Sequence, residues 1–236
     1  MFAAEWLNLL LRWAHMIVSI GWIGTSFYFM ALDYSLSKRG RMNEGVLGTA
    51  WQVHGGGFYH VETSTVAPPA LPEVLHWFKW EAYLTWVTGF GLLIVQYYFH
   101  AEVFLIDPAV MPLQPWQAIA ISIASLAAGW FAYDLLCRSK IGGNVALLAL
   151  SVFALILISA MLYTQVFSGR GAFIHVGALV GSIMAANVFA VIIPNQKKMI
   201  AQMIRGESPD PRYGAIGKQR SIHNNYLTLP VLLMMV

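Results

Sequence analysis

Charge is what this chain has least of. Asp, Glu, Lys and Arg make up only 11% of its 236 residues, against 58% hydrophobic, where a soluble domain carries about 25% charged residues. So little charge cannot cover a water-facing surface, which excludes an ordinary soluble globular domain. Cysteine is nearly absent. Cys137 stands alone, so no disulfide can close within the chain, no Cys-x-x-Cys-His haem attachment exists, and packing is its expected role. The opening stretch does not read as a secretory signal either: the first basic residue, Arg12, falls inside an apolar run longer than a signal core.

What the chain has instead is length of apolar sequence. Five runs reach the roughly 20 residues at about 1.5 Å each that a bilayer demands: 6–32, 77–99, 117–136, 144–166 and 171–193. A sixth starts near Asn225 and is still apolar at Val236, so further chain is expected beyond it. There is no internal repeat and no low-complexity segment. The expectation is a single all-α domain over 1–236, a polytopic transmembrane bundle of five complete helices and the start of a sixth.

A formal charge of +3 does not signal nucleic acid, because the cations are distributed by loop. Lys38, Arg39 and Arg41 follow the first run, Arg138 and Lys140 the third, and six more lie within 194–220, whereas the alternate connections hold Glu102, Asp107 and the single cation Arg170. Eleven against one, under the positive-inside rule, predicts an outside N-terminus and cytoplasmic segments at 33–76, 137–143 and 194–220.

Polar groups at membrane depth are costly and usually functional. Arg12, His15, Ser19, Trp22, Ser26 and Asp33 share one face of the first helix, and Glu81, Thr85, Thr88 and Gln96 one face of the second. Gly177, Gly181 and Ala185, like Ser122, Ser125 and Gly129, read as close-packing ridges. His15, with Trp22 and Phe29 on its face, suits an axial ligand of haem b; His175 is the second imidazole at depth, and Arg12, one turn above His15, is placed for a haem propionate. Counted at about 1.5 Å per residue, His15 lies about 13 Å and His175 about 6 Å below the outer ends, which tilts of about 20° can level. The competing reading has both histidines bonded to neighbouring backbone or serines. His100 reads as interfacial.

A second polar concentration lies on the inner side. It includes Trp51-Gln52-Val53-His54-Gly55-Gly56-Gly57-Phe58-Tyr59-His60-Val61-Glu62, whose glycines permit close backbone approach to a ligand. Pro68, Pro69 and Pro72 stiffen the return to helix 2, which enters with His76-Trp77-Phe78-Lys79-Trp80-Glu81. The sixth helix enters with Lys218, Gln219, Arg220, His223, Asn224 and Asn225. These segments start from one side and are expected to converge on one inner pocket. An esterase oxyanion loop is excluded by the lack of a Gly-x-Ser-x-Gly elbow, and the spacing of His54 and His60 is a weak metal signal.

The blocks WQVHGGGFYH at 51–60, LHWFKWEAYLTW at 75–86 and HNNYLTLPVL at 223–232, with LRWAHMIVSIGWIGTSFYFMALD at 11–33, resemble the membrane domain of the bacterial membrane-bound urate hydroxylases, the cytochrome c urate oxidases. The resemblance spans nearly the whole chain. It implies a bacterial inner-membrane protein whose membrane domain continues through further helices to a periplasmic cytochrome c domain carrying its own haem. It also implies oxidation of urate to 5-hydroxyisourate, with electrons passed to that domain or to a soluble cytochrome c rather than to oxygen. The inner segments offer groups suited to a planar purine anion. His60, Lys79, Glu81 and His54 are the candidate catalytic residues, His60 or Lys79 first as general base. Gly55, Gly56, Gly57, Phe58, Tyr59, Arg220, His223, Asn224 and Asn225 are candidate urate contacts. His15, His175 and Arg12 are the candidate haem residues, the two histidines as iron ligands. Two further function classes stay open on the residues alone: a haem b electron-transfer subunit with another donor such as quinol, and a transporter or channel.

Overall fold

The computed structural model describes residues 2–38, 45–64 and 73–234. Arg39, Arg41, Pro68, Pro69 and Pro72, and the end of the chain at Val236, lie outside them. Helix α1 (Phe2–Ser35) is followed by two strands, β1 (Val46–His54) and β2 (Gly57–Ser64). Helix α2 (Trp80–Leu93) runs through a π turn at Ile94–Tyr98 to the short α3 (Ala101–Phe104). Then come α4 (Pro115–Arg138), a 3-10 turn at Lys140–Gly143, and α5 (Val145–Thr164). Helix α6 (Gly169–Ala186) passes through a second π turn, Asn187–Ile192, into α7 (Ile193–Ile204), and α8 (Pro211–Leu233) closes the order.

The predominantly helical architecture stands, with a different count. Among the described residues four helices are long and apolar enough to cross a membrane: Ala4–Ser35, Pro115–Arg138, Val145–Thr164 and Gly169–Ile204. These four are compatible with a membrane protein. The expected helix at 77–99 begins at Trp80, and its regular hydrogen-bond ladder gives way to the π turn at Ile94. The expected end at 193 is overrun: Met199, Ile200, Met203 and Ile204 supply an apolar face that carries the helix on to Ile204. Hydropathy marks the apolar stretch, while helix length follows backbone propensity and packing. For the same reason α8 starts at Pro211, well before 225. Asp210 caps it, its carboxylate accepting from the Arg212 N–H at 2.9 Å. The Arg212 side chain on that carboxylate holds Asp210 below the usual carboxylate range.

The 51–62 segment is a hairpin rather than a loop. Trp51 pairs with His60, Val53 with Phe58 and His54 with Gly57. Gly55 and Gly56 form the two-residue turn at φ +58° and +80°, a left-handed pair that side-chain-bearing residues rarely adopt and that matches strand twist. The three glycines thus serve two pairing strands rich in Trp, Val, Phe and Tyr. The hairpin ties back to the chain just past α1 through backbone hydrogen bonds between Ser37 and Thr49, at 2.8 and 3.0 Å, and to α1 itself through Tyr28 Oη donating to Gln52 Oε1 at 2.8 Å.

Helix α6 is the hub of the bundle, buried along most of its length between α2, α4, α5 and α8. Its Leu179 lies against Gly129 of α4 so closely that a β-carbon there would collide with the leucine. A β-carbon at Gly177 would meet Met234, just after α8, at 3.0 Å, and one at Gly181 would meet Val231 of α8 at 3.8 Å, so the small-residue ridges serve helix contact. Tyr133, Leu148, Phe167, Leu179 and Ile183 form the centre of the core. The outward faces of α1, α4 and α5, by contrast, are strongly apolar and exposed, among them Trp13, Phe131 and Phe153.

Candidate functional site

Between α1, α2, α6 and α8 lies a cavity of about 890 Å³, mostly apolar, with Arg12, His15, Ser19, Ser26, Gln96, Arg170 and Asn224 among its polar walls. His15 hangs into it from α1, its ring resting on Gly89 of α2: a β-carbon at that glycine would lie 2.9 Å from His15 Cε1. His15 Nδ1 stands 3.0 Å from the Thr85 carbonyl and 3.0 Å from Thr88 Oγ1. The Thr88 hydroxyl spends its one proton on the carbonyl of Leu84 at 2.7 Å or of Thr85 at 3.1 Å, and a carbonyl oxygen can only accept. The proton on His15 is therefore on Nδ1, and Nε2 presents a lone pair that bonds nothing among the described residues. An imidazole whose Nδ1–H is held by a backbone carbonyl and whose Nε2 is free is the arrangement metal-ligating histidines use.

His175 is arranged oppositely. It is fully buried, donates from Nδ1 to the Gly171 carbonyl at 2.7 Å, and accepts on Nε2 from Ser122 Oγ at 2.6 Å, which in turn takes the Tyr98 proton at 2.7 Å. Phe167 and Tyr163 pack on its ring at 4.5 and 5.6 Å. Both nitrogens are engaged, and the ring does not line the cavity. The structure does not bring His15 and His175 to one cavity: counted depth puts the two within reach of levelling by helix tilt, but only packing sets which way each ring faces.

Above the cavity a vestibule of about 490 Å³ is lined by Glu5, Asn8, Arg12, Gln96, Tyr97, His100 and Arg170. Arg12 donates from Nε to Asn8 Oδ1 at 2.9 Å, and the Gln96 amide lies 2.8 Å from its Nε and 2.9 Å from its Nη2. Arg170 reaches Tyr97 Oη at 3.3 Å and lies over the Phe104 ring at 5.1 Å.

The residues expected to converge on one inner pocket fall into separate places. Arg220, His223 and Asn224 do meet, but in a buried network against α4 and α6 that sequence reading missed. Arg220, 1% exposed, donates from Nη2 to Asp134 Oδ1 at 2.7 Å and stacks over Tyr133 at 5.0 Å. Tyr133 Oη lies 2.7 Å from His223 Nδ1 and accepts from Asn187 Nδ2 at 3.0 Å. That same amide nitrogen reaches Asn224 Oδ1 at 3.1 Å, and Asn224 Nδ2 donates to the Met184 carbonyl at 3.0 Å. Asn225 beside them is half-buried. Asp134, Tyr133 and Asn187 could have been found from the cost of burying polar groups within apolar helices, and Asp134 also from its four-residue spacing to Arg138.

The remaining candidates lie on the hairpin and at the start of α2. His54, Gly55, Gly56, Phe58, Tyr59 and His60 are exposed on the hairpin, and Gly57 is half-buried. His60 stacks on Trp51 at 4.4 Å, with Glu62 Oε1 3.9 Å from its Nδ1. Lys79 lies over the Trp80 ring at 5.4 Å. Glu81 faces Gly21 of α1, with Oε2 buried and without a partner among the described residues. Phe78 packs edge-on against Phe29 of α1 at 4.8 Å, so both the α2 start and the hairpin touch the C-terminal half of α1, whereas the Arg220 group packs on α4 and α6. Among the described residues no set of three or more His, Cys, Asp or Glu is placed to hold a metal ion.

No curated protein and no solved structure matches the chain. One family model does, described as urate oxidase N-terminal, and it matches residues 1–236. With that match running the full length described above, from the His15 helix to α8, the chain belongs to the urate oxidase N-terminal family.

Proposed function

We propose that this chain is the membrane domain of an enzyme that oxidises urate, adding the oxygen of water to give 5-hydroxyisourate, releasing two protons and passing two electrons one at a time to cytochrome c, each haem taking one per reduction. The observation that carries the reading is the family match over the whole chain; the four apolar spans and the His15 cavity support it. The cavity walls fit haem b through one imidazole: His15 offers a free Nε2, and Arg12 stands one turn above it. Bound there, haem b supplies one-electron carriage between a two-electron donor and an outer acceptor. His15 holds the iron on this reading, while His175 orients Tyr98 and Ser122.

Urate is contacted at the hairpin. His60 is the general base, its ring set by the Trp51 stack and by Glu62, and Phe58 and Tyr59 present aromatic faces to a planar purine. Lys79 draws the urate anion toward the hairpin from the α2 start. Gln52 fastens the hairpin to Tyr28, thirteen residues along α1 from His15, about 20 Å of helix. The basic loops support a cytoplasmic position for this end and a periplasmic one for the vestibule.

The test is anaerobic addition of urate to the purified protein, extended by its cytochrome c domain, followed by reduced-minus-oxidised spectra. Urate reduces the haem in the parent and in Arg138→Ala. His60→Ala keeps the haem spectrum and loses at least 100-fold in reduction rate, in the range general bases contribute. A protein without haem, or a His60 variant reduced at the parental rate, overturns the assignment. Reduction by quinol but not by urate makes the chain an electron-transfer subunit instead.

A further inference from the structure

The main cavity and the vestibule above it share four wall residues: Arg12, Gln96, Tyr97 and Arg170. The two spaces therefore adjoin, both walled mostly by apolar groups, and the shared polar residues form the collar between them. Two of the four are guanidinium groups, arriving from different helices. Arg12 comes from α1, and Arg170 is the second residue of α6, where the unpaired N–H groups of a helix start add further positive potential.

Each guanidinium is positioned by neutral groups. Asn8 and Gln96 hold Arg12, and Tyr97 with the face of Phe104 holds Arg170. Among the described residues neither forms an ion pair, although Arg138, Arg205, Arg212 and Arg220 all do. Glu5 lines the vestibule without pairing with either. Two cations are thus brought to one mouth, fixed by uncharged partners, and left with donors for an anion. Arginine forks match carboxylates two N–H groups at a time.

From this we infer that Arg12 and Arg170 form a carboxylate clamp: the site takes a flat apolar ligand that carries acidic side chains at one edge, its body in the chamber and its carboxylates in the collar. The inference rests on the haem reading of His15 and adds a residue to it. Arg170, whose sequence role was only that of the lone cation in an outer connection, holds the second carboxylate. With the imidazole on α1 and the clamp split between α1 and α6, the ligand bridges two helices that otherwise bound an open chamber. An anionic lipid headgroup would satisfy the same guanidinium pair, so the experiment separates the two sources.

The apo-form of the full chain, in nanodiscs of zwitterionic lipid, is titrated with haem and with haem dimethyl ester, whose carboxylates are masked. The parent binds haem about 100-fold more tightly than the ester, at roughly tenfold per charge-assisted clamp. Arg170→Gln cuts that preference to about tenfold and Arg12→Gln,Arg170→Gln abolishes it, mainly by weakening haem; ester affinity and the spectrum of the His15-ligated iron stay close to parental. The haem midpoint potential falls in both variants, because removing a nearby cation favours the oxidised, more positive iron. His15→Ala weakens haem and ester alike. Equal binding of haem and ester by the parent, with the His15 dependence intact, overturns the clamp while leaving the haem reading standing. Failure of the parent to bind either compound overturns both. Loss of co-purifying phosphatidylglycerol from the double variant, with haem discrimination unchanged, assigns the collar to lipid and overturns the clamp.

Discussion

Removing Asp134 should be among the most damaging single changes in the bundle, and the structure says why. Asp134 is the one ion-pair partner found for Arg220, whose side chain is 2% exposed and whose Nε and Nη1 have no partner among the described residues. Asp134→Ala leaves that guanidinium charged and buried, since arginine does not deprotonate in proteins. Breaking a buried pair from one side costs about 3–5 kcal/mol. Arg138 also bonds Asp134, at 2.6 Å, but its side chain is 66% exposed, so Arg138→Ala should cost no more than about 1 kcal/mol. The informative variant is the double one. Asp134→Leu with Arg220→Met removes both charges and fills the space, and such replacements are often neutral or stabilising; it should return to within about 1 kcal/mol of the parent. Reversible unfolding in mixed micelles, followed by tryptophan fluorescence, measures all four proteins. If Asp134→Ala costs under about 1 kcal/mol, Arg220 is satisfied elsewhere and the argument fails. A double variant as unstable as the single would show that the damage is lost packing rather than stranded charge.

Three further outcomes follow from the same geometry. Gly89→Ala places a methyl 2.9 Å from His15 Cε1, so the ring must leave Thr85; about 1–3 kcal/mol of overpacking and loss of the haem spectrum are expected, and an unchanged spectrum would refute the placement of His15. His175→Phe keeps the volume but leaves the buried Ser122 hydroxyl proton without its acceptor, so it should destabilise by about 1–3 kcal/mol while leaving haem content unaltered; haem loss in a stably folded variant would restore His175 as a ligand. Cysteine introduced at Ser168 should be labelled from the periplasm and one at Ser208 only from the cytoplasm, and the reverse pattern would invert the topology.

The sequence by itself determined the class of this protein. Scarce charge and apolar runs of bilayer length pointed to an all-helical class compatible with a membrane, because a long apolar helix satisfies its own backbone, and the polar stripe of α1 from Arg12 to Ser26 disclosed the face that lines the cavity. Helix boundaries were less legible: Trp80 rather than 77, Ile204 rather than 193 and Pro211 rather than 225 are set by caps, π turns and amphipathic extensions that hydropathy does not register. The glycines at 55 and 56 carried a legible hairpin signal, since two left-handed residues between aromatic and β-branched segments make a tight turn, yet the reading as a ligand loop competed with it. Only the tertiary structure decided what each polar group faces. His15 and His175 look alike in sequence, and the difference between a free Nε2 and one taken by Ser122 depends on which neighbours α2 and α4 bring to each ring. Arg220 and Asp134 lie 86 residues apart, and Arg12 and Arg170 far apart on two helices. Pairings at that range follow from helix packing around α6, a property of the whole assembled bundle rather than of any local stretch of chain.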